Sequence, residues 1–153
     1  MPEPPRFYLD SNVYLAWLRG EVGRVDTARE LLTAGEEHRL TIVASTLVYA
    51  EVCGHGEVRS SGADGVDAKI RTFFERGFLR WVEVDLPTAR HARALSRLHG
   101  LRGADAIHLS SAIRGKAARF MTWDTKDFPI GQVIEGVAVQ EPEAYGQGTL
   151  PVA

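Results

Sequence analysis

The sequence predicts an α/β protein, a three-layer α/β/α sandwich with a mostly parallel central sheet. Short apolar runs of strand length recur along the chain, and helical patterns separate them. Strands that alternate with helices form mostly parallel sheets with helices on both faces. At 153 residues the chain is long enough for one domain with a sizeable core. We therefore expect a single domain over 1–153, with a core of about 6–140 and a peripheral C-terminal tail.

The first half of the chain opens with the apolar run Arg6–Leu9, which predicts a short buried strand. Ser11 or Asn12 then offers an N-cap for a helix that ends near Arg19. Gly35 is expected to end a second helix. The remaining elements predicted here are that second helix over 25–33, a strand over 40–44, and a helix capped by Ser45 or Thr46 that carries Glu51.

The second half begins with a loop over 55–64 that is rich in Gly and Ser, which indicates mobility. Pro87 fits the first turn of a helix that Gly100 stops. Another helix follows and carries Asp105 near its start. The other predictions are a helix over 66–76, strands over 79–84 and 119–122, an edge strand over 137–139, and an inner face of the Pro87 helix made of Ala89, Ala92, Leu95 and Leu98.

The composition is that of an ordinary soluble globular protein. The net charge of -2 does not indicate nucleic acid, so a nucleic-acid binder would have to concentrate its Lys and Arg locally. Cys53 is the one cysteine, which excludes an internal disulfide and a cysteine-based zinc cluster. The start of the chain has no apolar signal core, and no run approaches a membrane span. We therefore expect a cytoplasmic protein without a membrane partner.

Four acidic residues adjoin apolar segments that should share one core. Asp10 follows the apolar run over 7–9, and Asp124 follows the apolar run over 120–123. Glu51 lies within an apolar helix, and Asp105 opens another helix. Taken alone, Asp105 would be an acid that the helix dipole favours. Ligands bind at the carboxyl ends of parallel strands, so the topology should gather all four. A buried unpaired carboxylate is very costly. The natural partner is a hard divalent cation with oxygen ligands.

Other polar residues near these acids have competing interpretations. Asp127 rivals Asp124 as a ligand, although in its loop it would more simply fix backbone amides. His108 lies three residues after Asp105 and is more simply a packed or hydrogen-bonded histidine than a base. A row of three arginines at helical spacing is either a solvated face or a contact for RNA phosphate. These arginines are Arg90, Arg93 and Arg97.

Four segments together resemble the motifs of PIN-domain nucleases, and most closely the VapC-type toxins of bacterial toxin–antitoxin pairs. They are Leu9-Asp10-Ser11-Asn12, the helical Glu51, the segment Arg102 to Leu109 (RGADAIHL) and the segment Thr122 to Phe128 (TWDTKDF). The resemblance implies an endoribonuclease that depends on magnesium or manganese, with Asp10, Glu51, Asp105 and Asp124 as its acidic residues. Ser11, Asn12 and Thr122 would orient those ligands or their water. Ser11 replaces the threonine more often found at its position.

The resemblance also implies partners: an RNA substrate, a cognate antitoxin protein and a second copy of the chain. Exposed-looking aromatic residues, among them Phe73, Phe74 and Phe78, add to the expectation of a homodimer. Two other functions remain open from the residues. A receiver-like phosphotransfer domain also places acids at strand ends, but would show paired acids after the first strand. A non-catalytic binding module with the same fold would be favoured by the loss of an acid.

Overall fold

Six strands form one sheet in the computed structural model, which describes residues 2–61 and 65–145. In chain order they are β1 (Arg6–Leu9), β2 (Thr41–Ser45), β3 (Arg80–Val82), β4 (Arg119–Met121), β5 (Val133–Ile134) and β6 (Val137–Gln140). Across the sheet the order is β3-β2-β1-β4-β6-β5, and only the pair of β5 and β6 is antiparallel. The predicted edge position of 137–139 is therefore wrong, because β5 lies outside β6. The mostly parallel sheet is confirmed.

Seven helices in the described residues connect the strands. They are α1 (Ser11–Arg19), α2 (Val25–Glu36), α3 (Thr46–Cys53), α4 (Gly56–Arg59), α5 (Val66–Glu75), α6 (Leu86–His99) and α7 (Gly103–Arg114). Consecutive strand residues point to opposite faces of a sheet. Gly35 of α2 closely approaches Ile42, and Gly115 at the end of α7 closely approaches Val43. The helices α2 and α7 thus cover opposite faces, as the predicted three-layer sandwich requires.

Gly35 does not end its helix, contrary to our prediction. The helix α2 continues to Glu36, and Gly35 is buried within it. A Cβ atom at Gly35 would lie 2.4 Å from the Ile42 Cδ1 atom, so the missing side chain lets the helix approach β2. The periodicity of the sequence cannot distinguish this close approach from a helix stop.

Two further predictions about packing are wrong. Phe73 and Phe74 are each only 3% exposed and belong to an aromatic cluster with Tyr14 and Trp81, so neither is free for an interface. The homodimer itself stays a prediction. Leu98 is 76% exposed and Ala89 is also exposed, so neither belongs to the buried face of α6. The buried residues of that helix are Thr88, Ala92 and Leu95.

Part of the predicted tail packs against the core. The ring of Tyr145 meets Phe7 edge-on at 5.4 Å between centroids, and the Arg39 guanidinium donates a hydrogen bond of 2.6 Å to the Tyr145 carbonyl. Residues 62–64, the end of the loop predicted over 55–64, lie outside the described residues, and so does the part of the tail over 146–153. Its first residues form the short helix α4. No helix among the described residues is long and apolar enough to cross a membrane.

The close approach of α7 to the sheet predicts the effect of a single methyl group. In Gly115→Ala the new Cβ atom would lie 2.5 Å from Val43 Cγ1 and 3.1 Å from Val82 Cγ2. These stiff β-branched side chains must shift, so we expect a loss of about 1–3 kcal/mol in the free energy of unfolding. Urea denaturation measures it. The matched control is Gly103→Ala on the same helix, where nothing lies within 4 Å. Equal stability of the two variants would contradict the packing described.

Candidate metal centre

Asp10 sits where β1 ends and is fixed by three neighbours. Its Oδ1 atom accepts a hydrogen bond of 2.8 Å from the Ser11 amide, and its Oδ2 atom accepts one of 2.7 Å from the Thr122 hydroxyl. The Asn12 amide donates a further bond of 3.3 Å to Oδ2. Asp10 is thereby the N-cap of α1, and neither Ser11 nor Asn12 is, contrary to our prediction. The polar residues predicted around the first acid do contact it, and they tie the ends of β1 and β4 together.

Glu51 reaches the same region from α3. Its Oε1 atom accepts hydrogen bonds of 2.6 Å from both the Ser11 hydroxyl and the His108 Nε2 atom. The His108 Nε2 atom also lies 3.9 Å from Asp10 Oδ1. Side chains from α1 and α7 therefore converge on a carboxylate of α3. His108 is the buried, hydrogen-bonded histidine that we favoured from the sequence.

Tyr8 sets the orientation of His108, and sequence reasoning did not single it out. Its hydroxyl is buried and accepts a hydrogen bond of 3.4 Å from the Ser45 amide. The same hydroxyl lies 2.6 Å from His108 Nδ1, so it can donate its proton to that nitrogen. The other ring nitrogen, Nε2, then carries the proton that is donated to Glu51. A relay thus runs from the Ser45 amide through Tyr8 and His108 to Glu51.

A second group of acids lies beside Asp10. Oxygen atoms of Asp105, Asp124 and Asp127 all lie within 4.8 Å of one another. Asp105 comes from the first turn of α7, whereas the other two belong to the loop after β4. The Asp124 carboxylate accepts the amides of Lys126 at 3.3 Å and Asp127 at 3.0 Å. Asp124 therefore fixes the loop backbone, which is the role we expected for Asp127. Asp127 instead contributes a carboxylate oxygen to the acidic cluster.

The site shifts the pKa of four of its groups. Burial raises the pKa of Asp10 and of Asp105, and the negative charges of Asp10 and Asp124 raise that of Asp105 further. Burial also acts to raise the pKa of Glu51, but the hydrogen bond from His108, together with the positive charge that His108 carries when protonated, outweighs burial and lowers that pKa. Burial opposes protonation of His108, yet the hydrogen bond to Glu51 and the acids around it raise its pKa.

The donor atoms of the site suit a hard divalent cation. Within the described residues, no Lys or Arg forms an ion pair with any of the five acids, and His108 alone approaches two of them. The cluster of Asp105, Asp124 and Asp127 offers carboxylate oxygen atoms only, which match Mg²⁺ or Mn²⁺ better than softer metals. Carboxylates this close repel one another unless a proton or a cation lies between them.

The arginines considered as RNA contacts lie on α6, apart from the acids. Arg90, Arg93 and Arg97 are all exposed. Arg93 and Arg97 line a groove between α6 and the start of α7, whereas Arg90 does not line it. The structure thus places two of the three beside the helix that carries Asp105, and their contact with RNA stays a prediction.

The fold of this chain recurs in bacterial toxin–antitoxin proteins. A toxin–antitoxin complex from Klebsiella pneumoniae contains a chain 22% identical in sequence, with a TM-score of 0.61, and the match covers 92% of this chain and 98% of that one. DNA-bound VapBC from Salmonella typhimurium gives 18% identity, a TM-score of 0.64, and 90% and 98% coverage. VapC20 of Mycobacterium tuberculosis is described as a toxin that cleaves the sarcin–ricin loop. It is 13% identical in sequence, with a TM-score of 0.62, and the match covers 78% of this chain and 91% of that one.

These low identities establish similarity of fold alone. No curated protein matches the sequence. The family model of the PIN domain, however, matches residues 7–129, which include Asp10, Glu51, Asp105 and Asp124. This match excludes the receiver-like alternative and agrees with the sheet order and the acidic edge of the sheet. The chain therefore belongs to the PIN-domain family.

Proposed function

We propose that the protein is a metal-dependent endoribonuclease, and that it is the toxin of a VapBC-type toxin–antitoxin pair. One observation carries the proposal: the carboxylates of Asp105, Asp124 and Asp127 converge from two separate elements, and among the described residues no Lys or Arg forms an ion pair with them. PIN-family membership supports nuclease activity, and the toxin–antitoxin proteins of the same fold support the biological role. RNA as the substrate is supported by the description of VapC20.

The acids that would hold Mg²⁺ or Mn²⁺ are Asp10, Glu51, Asp105 and Asp124, and the geometry adds Asp127 to the set. When bound, such an ion activates water and neutralises charge at the scissile phosphate. Side chains of the protein itself hold these carboxylates in position for the ion. Asn12 donates 3.1 Å to the Thr122 hydroxyl, which itself donates to Asp10 and accepts the Asp124 amide at 3.0 Å. A single threonine thereby binds the Asp10 carboxylate and the backbone of Asp124, and so couples the positions of the two acids.

An antitoxin would be needed to keep such an enzyme silent in the cytoplasm, where we place its action. Because the site is rich in unneutralised carboxylates, an Arg of the antitoxin could occupy it. The planar guanidinium binds a carboxylate through two parallel hydrogen bonds. Antitoxin and metal would then compete for the same acids, and each would weaken the other's affinity to the same extent. We also propose a homodimer, on the family resemblance alone.

Removal of one acid should abolish RNA cleavage. We expect purified protein to cut structured RNA with Mg²⁺ or Mn²⁺ and to stop in EDTA. Asp105→Asn should lower the rate at least about 100-fold, since a charged group that stabilises the reacting phosphate is removed. The matched control is Asp26→Asn, which changes an exposed acid whose partner is Arg29. Denaturing gels of the cleaved RNA measure the rates. Full activity of Asp105→Asn, or an equal loss in the control, would contradict the assignment.

Removal of one buried hydroxyl should disturb Glu51 through His108. In Tyr8→Phe the Nδ1 atom of His108 loses its donor, so the imidazole is no longer held in the form that donates from Nε2 to Glu51. We expect activity to fall about 10-fold or more. The ¹⁵N chemical shifts of His108 report the tautomer directly and should change with it.

Tyr14→Phe is the matched control, because among the described residues no group hydrogen-bonds the buried Tyr14 hydroxyl. It should leave activity and the His108 spectrum unchanged. A Tyr8→Phe variant with a normal His108 spectrum and full activity would show that Tyr8 serves packing alone.

A further inference from the structure

We propose that the groove between α6 and α7 binds an unpaired nucleotide of the RNA, next to the bond that is cleaved. This inference rests on the proposed function and assigns a subsite to it. The groove has a volume of about 310 Å³. Its walls are Ala89, Ala92, Arg93, Ser96 and Arg97 of α6, with Gly103 and Ile107 of α7.

Positive charge is concentrated in the chain segment that forms most of this groove. Residues 86–104 contain four arginines and no acidic residue, although the whole chain has a net charge of -2. The four are Arg90, Arg93, Arg97 and Arg102, and all are exposed. None of them forms an ion pair within the part of the chain that the structure describes. Other arginines, such as Arg29 and Arg71, are paired with acids on their own helices.

The lining of the groove suits a base as well as a phosphate. Small or apolar side chains, chiefly Ala89, Ala92 and Ile107, form most of its surface, and Gly103 leaves open space above α7. Proteins that bind single-stranded nucleic acid combine a positively charged groove with a surface on which bases stack, and arginine contributes to such stacking. A groove of this size fits one base better than a helix or a duplex.

The position of the groove links it to the acids. Gly103 and Ile107 line it, and Asp105 lies between them in sequence on the first turns of α7. With 3.6 residues per turn, positions two apart differ by about 200° around the helix axis. Asp105 therefore lies on nearly the opposite side of α7 from Gly103 and Ile107, which line the groove. The diameter of a helix, about 10–12 Å, therefore separates them. A few nucleotides of one RNA strand can cross this distance, with one in the groove and the scissile phosphate among the acids.

The groove is also held rigidly, so its shape is preformed. On another side of α6, His91 Nδ1 lies 2.8 Å from the Ser110 hydroxyl of α7, and His91 Nε2 lies 3.0 Å from Glu135 of the β5–β6 hairpin. The Ser96 hydroxyl donates to the Leu101 carbonyl in the turn between the two helices. A preformed groove lowers the cost of ordering the protein when RNA binds.

Fluorescence anisotropy with a short labelled single-stranded RNA of mixed sequence, in EDTA, tests the groove without cleavage. In the full chain, Arg93→Ala/Arg97→Ala should weaken binding at least about tenfold, because two charge-assisted contacts are lost. The slope of log Kd against log salt should fall by about 1.4, since each contact with a single strand contributes roughly 0.7. Ala89→Leu should also weaken binding several-fold, with the slope unchanged, because it fills the groove without altering charge.

Arg80→Ala/Arg114→Ala is the matched control, since it removes two exposed arginines outside the groove. It should retain most of the affinity and the wild-type slope. An equal loss in this control would show that only overall charge matters and would overturn the subsite. Unchanged RNA binding by Arg93→Ala/Arg97→Ala would also overturn it and would favour an acidic protein segment as the occupant.

The binding assay and the cleavage assay together distinguish a failure of the subsite from a failure of the proposed function. Wild-type protein that cleaves RNA with Mn²⁺, while Arg93→Ala/Arg97→Ala binds RNA normally, would contradict only the groove. Wild-type protein that binds the labelled RNA through the groove but never cleaves RNA with Mn²⁺ would contradict only the nuclease. Wild-type protein that neither binds nor cleaves RNA would contradict both.

Discussion

The structure depends on one electrostatic constraint: five carboxylates lie at one edge of the sheet, and among the described residues no Lys or Arg pairs with them, while His108 contacts only Glu51 and Asp10. Burial and mutual repulsion raise the pKa of Asp10 and Asp105. A fold that keeps such charges together needs compensation. His108 compensates Glu51, and a divalent cation is the natural compensation for the rest. The hydrogen bonds of Thr122, Ser11 and Asn12 keep the carboxylates in place in the meantime.

The fold was predictable because its signals are periodic and local. Apolar runs of strand length separated by amphipathic helices predict a parallel sheet, and the acids at the ends of those runs must then meet at its carboxyl edge. Asp10 and Asp124 are placed at this edge because each comes shortly after a predicted strand. Asp105 is placed there too, because the helix that it opens leads into the parallel strand before Asp124 and therefore starts at that edge.

The remaining features depend on how the elements pack, which periodicity does not contain. Tyr8 looks like one apolar residue of a buried strand, and only the rotation of α7 brings His108 within reach of its hydroxyl. The roles of Asp124 and Asp127 depend on the path of a single loop. Gly35 could be recognised as a contact with Ile42 only when helix and strand are placed together. Site residue types are thus readable from sequence, whereas their mutual orientation is not.

Arginines and acids lie on different sides of α7, and this arrangement would reconcile an acidic site with the RNA substrate that we propose. The acids alone would repel RNA, and the net charge of -2 gives no general attraction. The four arginines between 86 and 104, a segment without an acidic residue, would supply attraction beside the site and leave the acids to the cation that we propose. An antitoxin that brings its own Arg could occupy the same acids directly.

Thermal unfolding of the metal-free and Mn²⁺-loaded protein, compared with Asp105→Asn, tests the electrostatic constraint most directly. The folded-state pKa of Asp105 is raised, so its ionised form destabilises the fold above that pKa, and acidification to below the unfolded value removes the penalty. Without metal at pH 7, Asp105→Asn should therefore be the more stable protein, and the difference should shrink as the pH falls towards 4. Mn²⁺ at about 100 times its Kd should stabilise the wild type by about 2.7 kcal/mol and reverse the order. A metal-free wild type more stable than Asp105→Asn, with no response to Mn²⁺, would contradict the account.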